Sequence, residues 1–126
     1  MSSYPVGHTI HLRILRDSEE RAVSLKVSFL PEDQVAEFTR IWLGFKIAEI
    51  KKPLMQRYLL TTVQGVVVTR VVPNSVGGKI GIQAGDIIRQ VNQARIKNKQ
   101  NFNAAMIDAA GRSSILLLVQ RGQNGY

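Results

Sequence analysis

At 126 residues with 44% apolar side chains, the chain is long enough to fold as one ordinary domain with a core of its own, which argues against disorder. Its longest unbroken apolar run, Ile115 to Val119, falls far short of the roughly 18 residues that suggest a membrane span, and no charged-then-apolar leader follows Met1. No membrane insertion is expected, and any export signal is expected to lie outside this stretch.

The net charge of +8 is unevenly placed, with nine Lys/Arg against seven Asp/Glu in residues 1–63 and eight against only Asp86 and Asp108 thereafter. These cations are scattered singly among few aromatics, and no run resembles a recognition helix or an RNA-stacking strand. A solvated basic face is therefore expected, and no nucleic acid partner. Absence of cysteine removes disulfides and thiolate metal sites but leaves the compartment open.

In chain order, Ile10, Leu12 and Ile14 alternate with Thr9, His11 and Arg13, and Val23, Leu25 and Val27 alternate with Ala22, Ser24 and Lys26. Both segments read as half-buried strands, and the polar stretch 16–21 between them makes a candidate hairpin. Pro31 to Thr39 reads as a linker or lead-in. Leu43-Gly44-Phe45 reads as a turn, because Gly44 lets the backbone bend so that consecutive amides converge on one anion. Phe45 to Ile50 continues as a strand, with Phe45, Ile47 and Glu49 on one face by the period of two. Lys51 to Thr62 is a candidate helix that covers or flanks it.

The stretch Gly65 to Asn92 is the most informative. A β-branched run from Val66 to Val72 stops at Pro73, which cannot donate to a ladder, and Ser75 is placed to cap a short piece of helix. Ala84-Gly85-Asp86 then restarts a second β-branched run, with Asp86 expected to brace its own turn through local backbone bonds. From Asn101 to Ala110, Phe102, Ala105, Met106 and Ala109 form a helical stripe.

This punctuation resembles the core of a PDZ domain of the bacterial HtrA/Deg type. The resemblance covers residues 40–126: Trp42-Leu43-Gly44-Phe45 is similar to the carboxylate-binding loop, the Pro73-Asn74-Ser75 turn and Ala84 to Ile88 to the central elbow, Asn101 to Ala110 to the groove helix, and Ile115 to Gly122 to the closing strand. One departure is Gln93, where the family has glycine after Asn92. The implied fold is mainly β with short helices (α+β): a PDZ-like, partly open β-barrel or sandwich capped by two helices, with the N-terminal hairpin added.

The hairpin is echoed at the other end, since Gly7 through Ser18 lines up with Gly111 through Gly122 at a constant offset of 104 residues. Residues 1–30 are accordingly expected to be the last two strands of a preceding PDZ-like domain, with 31–39 as linker and 40–126 as the PDZ domain; a hairpin native to one domain is the alternative. The family continues past Gly122 into another strand. The hairpin is expected to fill that vacancy, within the molecule or by strand swapping in a homo-oligomer.

No catalytic residues are expected. His8 and His11 are the only histidines, and none of the eight serines stands in a Gly-x-Ser-x-Gly or Gly-Asp-Ser-Gly setting. Two histidines spaced i, i+3 on a strand point to opposite faces, so no metal site is expected. Gly77-Gly78-Lys79 lacks the spacing of a phosphate loop, and no cofactor is expected.

What the resemblance implies is a site that binds without reacting: an extended peptide adds to a free strand edge, its backbone supplying affinity and pockets supplying selectivity. The terminal side chain would enter a pocket of Leu43, Phe45, Ile47, Phe102, Met106 and Ala105, with Gly44 in the carboxylate loop and Arg40 lending charge. The implied partners are C-terminal or unfolded hydrophobic peptides and the protease domain of the same parent. The implied role is regulation of an HtrA/Deg-like serine endopeptidase in protein quality control, with a periplasmic or cell-envelope location. A non-proteolytic scaffold in a secretion or membrane-associated protease complex is the alternative.

Overall fold

In the computed structural model, the residues described are 8–16, 19–27, 35–60 and 64–121. Strands β1 (His8–Arg16) and β2 (Glu19–Val27) pair antiparallel, as their alternation predicts. Asp17 and Ser18 of the predicted hairpin turn lie outside the described residues. A short helix α1 (Val35–Phe38) and a π-helical turn (Thr39–Leu43) lead into β3 (Phe45–Glu49). Then follow α2 (Lys52–Tyr58), β4 (Val66–Val71), α3 (Val76–Lys79), β5 (Asp86–Val91), β6 (Ala94–Arg95), α4 (Lys99–Gly111) and β7 (Ser114–Arg121).

The strands form one open sheet in the order β2-β1-β7-β5-β4-β3, with β6 attached to β5. β1 lies parallel to β7 in the same chain and pairs Leu12 with Ile115 and Ile14 with Leu117. That register places Ile10, Leu12 and Ile14 on the buried face with Ile115, Leu117 and Val119. A slip of one residue turns every side chain to the opposite face, so burial selects the register seen.

Alternation also sorts β4 into two cores. Val66 and Val68 join the main apolar cluster with Phe38, Leu43, Phe45, Phe102 and Met106, whereas Val67 joins Ile50, Leu60 and Ile87 on the other face. Leu54, Met55 and Tyr58 of α2 cover that second cluster, so α2 packs on the side of Ala48 and Ile50, away from the face of Phe45 and Ile47. Thr61 and Thr62 lie outside the described residues.

The elbow forms by the local chemistry its sequence predicts. The Ser75 hydroxyl accepts from the Gly78 N–H at 3.1 Å, and the Asn98 side chain caps α4 by accepting from the Asn101 N–H at 2.8 Å. At the β5–β6 turn the left-handed residue is Asn92, with φ of 54°, so the position of Gln93 does not require glycine. Asn92 also accepts from the Leu116 N–H and donates to the Ser114 carbonyl, which ties this turn to β7.

Candidate functional site

β3 ends the sheet order, and among the described residues its only strand partner is β4. Its far edge faces α4, leaving a cleft of about 210 Å³ lined by Val35, Thr39 and Arg40 from the α1 segment, Lys46 and Ile47 from β3, and Lys99, Phe102 and Asn103 from α4. Beside it, across the start of β3, a second cleft of about 240 Å³ is lined by Arg40, Gly44, Phe45, Lys46, Arg70 and Val72.

Three of the eight residues singled out from sequence, Arg40, Ile47 and Phe102, meet in the first cleft, and Gly44 and Phe45 join Arg40 in the second. Leu43 and Met106 are fully buried and Ala105 nearly so, and neither cleft is lined by them. Their cover includes a segment read as linker: α1 packs against α4 and adds Val35 and Phe38 to the same apolar cluster. The Thr39 hydroxyl donates to the Val35 carbonyl at 2.8 Å and fixes the start of the π-turn. What stays open is the seam between β3 and α4, with Ile47 as its apolar floor.

The glycine turn differs from the sequence expectation in one respect. Gly44 has φ of 81° and ends the π-turn, and its N–H donates to the Thr39 carbonyl at 2.7 Å. That amide is therefore committed to a helix end, and the cations lining the cleft beside it are Arg40, Lys46 and Arg70. A Cβ on Gly44 would overlap the side chain of Ser75, and one on Gly77 would press to 2.9 Å on the Leu43 carbonyl oxygen. Gly44→Ala is expected to cost about 2–4 kcal/mol from this overlap and the left-handed backbone together. A urea midpoint unchanged from the parent would count against that packing.

Sequence reasoning missed Lys46, Lys99, Asn103, Val35 and Thr39. A helix stripe and a strand face identify which residues of their own element turn inward; they carry no signal for which side chains of other segments border the opening. Elsewhere, His11 Nδ1 lies 2.9 Å from the Ser24 hydroxyl, a contact set by their direct opposition on β1 and β2. Among the described residues no group of three His, Cys, Asp or Glu could hold a metal ion.

An edge strand, an αL glycine turn before it and a capped helix behind it form the frame in which known proteins can be compared. The model for the PDZ domain matches residues 67–121. The PDZ domain of HtrA3, solved bound to a phage-derived ligand of sequence FGRWV, is 30% identical, covers 65% of this chain and 74% of its own, and superposes with a TM-score of 0.52. This chain belongs to the PDZ domain family.

Curated relatives place the PDZ domain in a larger context. The periplasmic serine endoprotease DegP of Salmonella typhimurium is 31% identical over 98% of this chain, and that of Escherichia coli K12 is 29% identical over the same share. A probable periplasmic serine protease of Haemophilus influenzae is 25% identical over 95%. The PDZ chain spans about a quarter of the length of these relatives, 24% in each case. No helix among the described residues is long and apolar enough to cross a membrane.

Proposed function

We propose that this PDZ domain binds extended hydrophobic or C-terminal peptide segments by strand addition along β3, and that it regulates the activity or assembly of an HtrA/Deg-like serine endopeptidase in envelope protein quality control. The observation that carries this reading is the edge of β3 that no strand pairs among the described residues, facing α4 across a cleft floored by Ile47 and Phe102. A peptide laid there gains backbone hydrogen bonds from the strand and buries an alternate side chain against the floor. The HtrA3 neighbour, solved with a short peptide, and the periplasmic protease relatives support the reading.

Residues 1–30 are read as the closing strands of a preceding PDZ-like domain. The match to DegP over 125 residues runs through them, so the hairpin is part of what this chain shares with that relative. In that arrangement β1, lying along β7, is a direct mechanical link between two consecutive domains.

Labelled FGRWV is expected to bind with micromolar-range affinity by fluorescence anisotropy. Ile47→Lys is expected to weaken it at least about ten-fold, since a cation in the seam removes the apolar floor. Equal binding to the parent and to this variant would remove β3 from the site.

A further inference from the structure

Lys46 and Arg70 stand directly opposite each other on β3 and β4, and both are exposed. Like charges at opposed positions of an antiparallel pair repel. Among the described residues neither side chain has an ion pair or a hydrogen bond. The two cations line one cleft at the peptide edge, and Lys46 with Lys99 lines the other. Among the described residues, neither cleft has a carboxylate in its lining. The one acid on β3, Glu49, accepts from the backbone N–H of Lys99 at 3.3 Å, at the far end of the strand.

We propose that Lys46, Arg70 and Lys99 make the groove selective for acidic peptides, in which aspartate or glutamate side chains flank the apolar residue that enters the seam. The inference rests on strand addition to β3 and names the class of ligand that adds. An extended ligand runs along β3 between the two clefts, so its side chains pass the cations at both ends of the strand. A carboxylate placed there relieves the repulsion between Lys46 and Arg70. The positive field also raises the rate of encounter with acidic segments.

Anisotropy titrations with labelled FEDWV and FGRWV test this. FEDWV is expected to bind about ten-fold more tightly or better, with each exposed charge pair contributing up to about 5-fold. The advantage is expected to shrink as salt is raised. The double variant Lys46→Glu, Arg70→Glu is expected to prefer FGRWV, and a thermal melt close to the parent's shows that the exposed changes leave the fold intact. Equal affinities, or a preference of the parent for FGRWV, overturn the inference and leave strand addition standing. Failure of both peptides to bind overturns strand addition and this inference with it. Amidated versions separate the two sources of carboxylate: retention of the FEDWV advantage supports selection of acidic side chains, whereas its loss assigns the cations to the peptide terminus and overturns the selectivity.

Discussion

Replacing Asp86 by alanine is expected to lower the unfolding free energy by about 3–5 kcal/mol, because it strips the partner from a buried ionic node. Asp86 is only 1% exposed. Its two oxygens accept from Arg121 Nε at 2.9 Å and Arg121 Nη2 at 3.1 Å, and Oδ2 also accepts from the Gln83 N–H at 2.9 Å. Arg16 approaches Oδ2 at 3.8 Å, and both arginines donate to the Gly81 carbonyl. The node thus joins β1, β5, β7 and the elbow before β5. Without the carboxylate, two guanidinium groups converge on one carbonyl with no anion between them. A loss of that size is a large fraction of the 5–15 kcal/mol typical of a domain. Urea unfolding followed by Trp42 fluorescence measures it, and a change under about 0.5 kcal/mol, the size expected of an ordinary surface substitution, would contradict the role given to the node.

Two substitutions on one face of β3 are expected to separate folding from binding. Phe45 is 1% exposed within the main core. Phe45→Ala is expected to cost about 3–5 kcal/mol, through lost burial and the cavity left behind. Ile47, two residues on, is half-buried in the seam, and Ile47→Lys is expected to cost far less stability while removing peptide binding. The contrast is read by pairing urea midpoints with anisotropy on the same two proteins. If Ile47→Lys unfolds the domain as Phe45→Ala does, Ile47 belongs to the core and the seam is not a binding floor.

Much of the fold is legible in the sequence, because β-branched alternation and turn chemistry are local. Ile10, Leu12 and Ile14 announce their face, Pro73 and Ser75 announce the end of β4 and the start of α3, and Phe102 to Ala109 announce the inner face of α4. Asp86 shows the limit of this reading. Its bond to the Gln83 N–H follows from its place in the turn, but Arg121 and Arg16 come from strands distant in sequence, and only the assembled sheet brings them to it.

The elements that frame the candidate cleft are legible in the sequence, and the side chains that border it are not, for the same reason. Gly44 and the period of two located the turn and the edge strand. Whether the Gly44 amide faces a ligand or ends a helix depends on Thr39, in a segment whose single helical turn is too short to show a period. Val35 and Phe38 likewise gave no pattern, yet they belong to the same buried cluster as Met106. The opposition of Lys46 and Arg70 required the β3–β4 register, which shifts immediately after Lys46.

Amide hydrogen exchange of the free domain and of the domain saturated with peptide tests the central claim most directly. Strand addition predicts new protection concentrated in Phe45–Glu49, at the amides that β4 does not engage, with smaller changes along the facing side of α4. Protection that appears elsewhere while Phe45–Glu49 exchanges as in the free protein would contradict it.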